Sequence, residues 1–274
     1  MPVPAVTADP YVAALTTLSE AGVPFLVGGG YALERYAGLS RDPKDIDVFV
    51  LAEQSEAALG ALAAAGYATE TRFPHWLGKA FIGDRTIDII WGSGNGCAPV
   101  DEEWFEHAVD GVVLGLPVKL CPPEETIWSK SFVMERERYD GADVIHLLRA
   151  CGPALEWERL LRRFGPYWRV LLSHLILYGF VYPGERGQLP AWVLDRLLRR
   201  VRREMTDEEP GARVCRGTLL SRTQYLVDIE SWGYRDARLQ PPCAMTAEDI
   251  AGWTKAIEVP APRGVDSDET RGDR

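Results

Sequence analysis

Three aspartates and a run of glycines are the residues whose types and spacing could do chemistry. Asp45 and Asp47 flank Ile46, Asp88 lies in the apolar stretch Ile87-Asp88-Ile89, and Gly28-Gly29-Gly30 directly follows Phe25-Leu26-Val27. Successive side chains of a strand point to opposite faces, so Asp45 and Asp47 would project side by side. Mg2+ takes oxygen ligands in near-octahedral geometry and needs several carboxylates converging from rigid elements. Asp45 and Asp47 supply two and Asp88, on another strand, a third. A glycine turn that opens a helix lets backbone amides approach a phosphate closely, where a larger side chain would obstruct. Two Mg2+ ions held by such carboxylates would neutralise charge at an attacked phosphorus and lower the pKa of an attacking hydroxyl. Each feature also has a plainer reading: a tight turn, a solvated strand edge, or an aspartate facing water.

These groups need elements to hold them. Residues 11–22 read as an amphipathic helix ending at Gly22. Phe25-Leu26-Val27 reads as a short buried strand, followed by a helix from about Tyr31 to Ala37. Asp45 to Leu51 alternates as a strand, with Ile46, Val48 and Val50 on one face and Asp45, Asp47 and Phe49 on the other. An alanine-rich helix over 53–65 precedes strands near 67–72, 77–82 and 86–91. Gly92-Ser93-Gly94-Asn95-Gly96 reads as a mobile loop in which Ser93 and Asn95 are loop residues. Strands at 112–114 and 118–120 predict a hairpin turning at Gly115-Leu116-Pro117, and a helix opens at Pro122 and reaches about Met134. Beyond Asp140 helical periodicity takes over, with helices expected near 140–150, 155–164, 166–179, 190–205, 221–231 and 246–258. The fold class that follows is α+β: a mixed, twisted sheet over residues 1–150, a helical domain over 151–258 that closes a cleft, and a disordered tail over 259–274.

Charge divides the same way. Residues 1–150 hold 11 Lys and Arg against 22 Asp and Glu, whereas residues 151–258 hold 16 against 14. An acidic first half is a poor general surface for nucleic acid and suits cations, whether metals or a polycationic small molecule. The five cysteines, at 97, 121, 151, 215 and 243, lack the spacing of a zinc site or redox pair and read as reduced structural thiols. Neither a signal peptide nor a membrane span is expected, which places the protein in the cytoplasm. His146 and His174 read as core histidines, and Trp157, Trp168, Trp192, Tyr167 and Tyr178 as core aromatics. The cluster Arg196, Arg199, Arg200, Arg202 and Arg203 is either a phosphate-binding stripe or a solvated helix face.

The stretch Gly28-Gly29-Gly30-Tyr31-Ala32-Leu33, followed by Arg41-Asp42-Pro43-Lys44-Asp45-Ile46-Asp47-Val48, resembles the signature of the DNA polymerase β-like nucleotidyltransferase superfamily. Its spacing, with Arg41 four residues before Asp45, is similar to aminoglycoside and lincosamide nucleotidyltransferases. Gly30 departs from a position where those enzymes often carry Trp, and Pro43 from one where they often carry His. Lys130 and the run Arg138-Tyr139-Asp140-Gly141-Ala142-Asp143-Val144-Ile145-His146-Leu147-Leu148 resemble abortive-infection-type nucleotidyltransferase toxins. The resemblance covers about residues 24–150. It implies a nucleotidyltransferase core in which Asp45 and Asp47 bind both magnesium ions while Asp88 completes one metal site and helps deprotonate the acceptor. Lys130 would contact the triphosphate and Asp143 support the site, with the Gly28-Gly29-Gly30 turn admitting the triphosphate; Arg41 would either bind phosphate or pair with Asp42 or Asp45. An NTP would be the co-substrate, and the acceptor a hydroxyl on a small molecule such as an antibiotic or on a tRNA 3′ end. In the tRNA case an antitoxin protein would be a partner. The alternative is a catalytically silent nucleotide-binding or protein-interaction module that keeps the fold.

Overall fold

A computed structural model describes residues 9–39, 45–205, 213–243 and 245–256. Arg41 and the tail over 259–274 lie outside the described residues. Helix α1 (Pro10–Glu20) starts where Asp9 accepts a hydrogen bond from the Tyr11 amide at 2.8 Å and Pro10 fills the first turn. It buries Tyr11, Ala14, Leu15 and Leu18, one helical face. Strand β1 (Leu26–Val27) runs into α2 (Gly29–Ala37), which ends at Gly38 in the left-handed conformation. Strand β2 (Asp45–Phe49) keeps Ile46 and Val48 buried on the face opposite Asp45 and Asp47, as its alternation requires.

Helix α3 (Ser55–Ala64) leads into β3 (Ala68–Phe73), β4 (Leu77–Ile82) and β5 (Arg85–Ile90). Short helix α4 (Glu102–Glu106) precedes the hairpin β6 (Val109–Val113) and β7 (Leu116–Leu120). The seven strands form one mixed sheet in the order β3-β4-β5-β2-β1-β7-β6. Strand β2 is parallel to β5 and antiparallel to β1, which is parallel to β7. The hairpin turns at Leu114-Gly115, both with positive φ, rather than at the expected Gly115-Leu116-Pro117. A two-residue turn of that type matches the strand twist, and Pro117 is tolerated in β7 because only β6 pairs beside it there.

Both faces of the sheet are covered. One apolar cluster packs α1 and α3 onto Val27, Ile46, Val48 and Ile89. The other starts at Leu26 and Leu33 and continues through α5 (Pro123–Lys130), α6 (Gly141–Cys151), α7 (Trp157–Phe164), α8 (Trp168–Val181) and α9 (Ala191–Glu204). It runs without a break past residue 150. Helix α5 ends at Lys130, short of the expected Met134. A small strand pair follows, β8 (Val214–Cys215) and β9 (Arg235–Asp236), around α10 (Leu226–Glu230), and α11 (Ala247–Lys255) is the last helix of the described residues. Two-residue strands carry too little periodicity to be read from sequence. No helix of the described residues is long and apolar enough to cross a membrane.

Several expectations change here. Cys97 and Cys243 form a disulfide across 146 residues, so these two are not reduced thiols; Cys121, Cys151 and Cys215 are free. Only chain folding brings the pair together, which spacing could not reveal. Gly92–Gly96 is a pinned segment rather than a mobile loop. Asn95 donates to the Leu219 carbonyl at 2.8 Å and accepts from Ser93, while Cβ atoms at Gly94 and Gly96 would lie 2.4 Å from Trp253 and 2.6 Å from Met245. Those glycines admit the returning C-terminal segment. Trp192 is 43% exposed, unlike the buried Trp157, Trp168, Tyr167 and Tyr178. His174 is fully buried and bonded to the Ser131 carbonyl, whereas His146 is half-buried.

Candidate active site

The parallel register of β2 and β5 sets Asp45 opposite Thr86 and Asp47 opposite Asp88. Antiparallel β4 then sets Lys79 opposite Asp88, and its ammonium donates to both carboxylate oxygens at 2.8 and 3.1 Å. Asp45 is exposed and Asp47 partly buried. Burial first, then the negative charges of Asp45 and Asp88, push the Asp47 carboxyl up to about 6 against the opposing pull of Lys130 and Arg138. The sheet has gathered like charges that a cation would relieve.

The glycine turn lies directly against them. Gly28 donates its amide to the Asp47 carbonyl at 2.9 Å. Gly29, at φ +56°, begins α2, and a Cβ there would fall 1.6 Å from an Asp47 carboxylate oxygen. Only glycine fits both the left-handed backbone and the space. The first amides of α2 have no acceptors within the helix, which suits an anion at this end. Gly30 is the next residue of the same turn of helix.

On the other wall of the cleft Lys130, the last residue of α5, contacts Asp140 at 2.8 Å and Asp143 at 3.0 Å. Arg138 donates to Asp140 through Nε at 2.9 Å and Nη2 at 2.8 Å. Burial raises the Asp140 carboxyl, but the Arg138 hydrogen bonds and the charges of Lys130 and Arg138 outweigh it and hold the group at about 2. Helix α5 is in turn fixed to α7 by a buried ionic network. Arg159 bonds Glu124 at 2.8 Å and Glu125 at 2.5 Å, and Arg163 reaches Glu125 at 3.0 Å and Asp101 at 2.6 Å.

The structure thus brings Asp47, Gly29, Lys130 and Asp140 to one cleft, with Asp45 and Asp88 beside Asp47 and Asp143 behind Lys130. The donor chemistry fits Mg2+: hard carboxylate oxygens on adjacent strands. Among the described residues, no three His, Cys, Asp or Glu side chains are already gathered as a ligand cage, and Asp88 is engaged by Lys79. Sequence reasoning missed Lys79, because its neighbour is set by the β4–β5 register. It also missed the functional position of Arg138, although Arg138 stands in the run that carried the second resemblance. The aromatic part of the cleft lining was not legible in the sequence: Phe49, which packs against Gly28, with Trp76, Trp104, Phe132 and Trp253, beside Glu135 and Arg222. Of the arginine stripe, Arg196, Arg199 and Arg200 are engaged by Glu158, Asp195 and Glu204 on the surface.

Carboxylates thus stand abreast on two parallel strands, beside a glycine-led helix and a lysine–arginine wall. The fold is similar to that of solved nucleotidyltransferases. The antibiotic-resistance factor ANT(2'')-Ia is matched at 21% identity over 60% of this chain and 94% of that one, with a TM-score of 0.41. The lincosamide antibiotic adenylyltransferase LnuA is matched at 15% identity over 52% and 96%, with a TM-score of 0.38. An antigenic nucleotidyltransferase-like protein from Paracoccidioides brasiliensis is matched at 14% over 60% and 90%, with a TM-score of 0.34. No family model and no curated protein matches the chain. Likenesses of this size leave the activity to be argued from the site itself.

Proposed function

We propose that the protein is a Mg2+-dependent nucleotidyltransferase that moves a nucleoside monophosphate from an NTP to a hydroxyl acceptor bound in the cleft. One observation carries this reading: Asp47 stands abreast of Asp88 in the β2–β5 register while its carboxylate fills the space that only a glycine at 29 leaves open. Burial and the charges of Asp45 and Asp88 disfavour a second negative charge at Asp47, and a cation bound there would relieve that repulsion.

Asp45, Asp47 and Asp88 would hold the magnesium, which when bound supplies charge neutralisation at the α-phosphorus and acidifies the acceptor hydroxyl. The Gly28–Gly29 turn admits the triphosphate to the amides of α2. Lys130 and Arg138 face the same space and offer positive charge to the departing pyrophosphate, exchanging part of their hold on Asp140 for phosphate oxygens. Asp88 would accept the hydroxyl proton as the acceptor oxygen bonds to the α-phosphorus and the bond to pyrophosphate breaks. Lys79 fixes the orientation of the Asp88 carboxylate for that transfer. A small-molecule acceptor suits the cleft, which Phe49, Trp76, Trp104, Phe132 and Trp253 line beside the carboxylates.

Isothermal titration of each NTP, as a non-hydrolysable analogue with Mg2+, tests the reading. Binding to the wild type that depends on Mg2+ and is abolished by Asp45→Asn/Asp47→Asn supports it. Failure of every NTP to bind the wild type refutes it.

A further inference from the structure

The acceptor end of the cleft has its own chemistry. Among the described residues that line the cleft, the carboxylates are Asp47, Glu135 and Asp140 and the cations Lys130, Arg138 and Arg222. Asp140 is held by Lys130 and Arg138. Glu135 accepts from Ser221 Oγ at 2.8 Å and the Arg222 amide at 3.2 Å, and pairs with Arg222 Nε at 3.4 Å. Asp47 belongs to the magnesium and phosphate end. No lining carboxylate is thus left to receive a positively charged acceptor, although the acidity of the first half suggested a polycationic one.

What the walls offer instead is aromatic surface. Phe49 stacks on Trp104 at 5.3 Å, and Trp76 meets Trp253 edge-on at 5.3 Å. Arg222, itself a lining residue, lies 4.2 Å over the Trp253 ring. Trp253 reaches the cleft from α11 because Gly94 has no side chain to meet it and because the Cys97–Cys243 disulfide anchors the preceding segment.

Resting on the nucleotidyltransferase reading, we propose that the acceptor is a hydroxylated small molecule without positive charge that packs an apolar ring against the aromatic lining that Trp76 and Trp253 give the cleft. Aromatic stacking supplies its affinity, and Glu135, neutralised by Arg222, closes the site to polyamines.

The test titrates two probes into the full chain saturated with Mg2+ and the NTP analogue found above: 2-naphthyl β-D-glucoside, flat and neutral, and kanamycin, hydroxylated and polycationic. The naphthyl glucoside should bind at least about tenfold more tightly than kanamycin. Trp253→Ala and Trp76→Ala should each weaken it by about tenfold, while Trp253→Phe holds it within about threefold. Arg222→Ala, which uncovers Glu135, should raise kanamycin affinity. Analogue binding and the melting curve of each variant show whether the fold and the nucleotide site survive. Tighter binding of kanamycin, no binding of the naphthyl glucoside, or tryptophan variants that bind it unchanged would each overturn this inference while leaving nucleotide binding intact. Loss of analogue binding in the wild type would instead overturn the nucleotidyltransferase reading.

Discussion

Gly29→Ala offers a direct measure of how tightly the glycine turn and Asp47 are built against one another. Gly29 has φ +56°, and Gly22 has φ +68° with nothing within 4 Å of the place a methyl group would occupy, so Gly22→Ala isolates the backbone cost. An alanine in the left-handed region costs about 1–2 kcal/mol, and both variants should show that loss in urea denaturation. At Gly29 the methyl carbon would fall 1.6 Å from Asp47 Oδ2, so the carboxylate must retreat by at least about 1.4 Å before the contact is tolerable. Overpacking of that kind costs a further ~1–3 kcal/mol. The same displacement moves a proposed magnesium ligand and widens the start of α2, so Mg2+-dependent binding of the NTP analogue should fall by about tenfold or more, in proportion to that extra energy. Gly22→Ala should leave nucleotide binding unchanged. If Gly29→Ala matches Gly22→Ala in both stability and nucleotide affinity, the contact does not organise the site and the reasoning fails.

Other consequences are open to measurement. Asp140, 8% exposed and held near 2 where an unperturbed carboxyl titrates at 3.8, contributes on the order of 2 kcal/mol of stability at neutral pH. Because the folded pKa is the lower one, that contribution is present above about pH 4 and lost as pH falls through about 2. Asp140→Asn should therefore destabilise at pH 7 and converge on the wild type near pH 2 in parallel denaturant titrations. Arg159→Met leaves Glu125, 0% exposed, without its main partner, and should cost about 3–5 kcal/mol in chemical denaturation. Arg196→Ala, at an exposed pair with Glu158, should stay within about 1 kcal/mol, and an equal loss at both positions would contradict the importance assigned to burial. Removing the Cys97–Cys243 link with dithiothreitol, or as Cys97→Ser/Cys243→Ser, should lower stability by about 2–4 kcal/mol. Reductant that leaves the melting temperature of the wild type unchanged would count against the disulfide.

Local rules were enough to place α1 to α3 and β1 to β5. Period-two alternation put Ile46 and Val48 inside and Asp45 and Asp47 together outside, because a strand has no other way to divide those residues. Gly22 marks the end of α1 by chemistry confined to one turn. The glycine run and the three aspartates could be named as candidates for the same reason: their spacing lies within single elements. Folding alone decided what they face. The β2–β5 register made Asp47 and Asp88 neighbours, and the β4–β5 register gave Asp88 its lysine. Loop closure over 146 residues joined Cys97 to Cys243 and turned a glycine-rich stretch that looks mobile in sequence into the seat of Trp253. The aromatic wall and the neutralised Glu135 exist only once α11 and Arg222 return to the sheet, since pairings between residues so distant along the chain leave no periodic trace in the sequence.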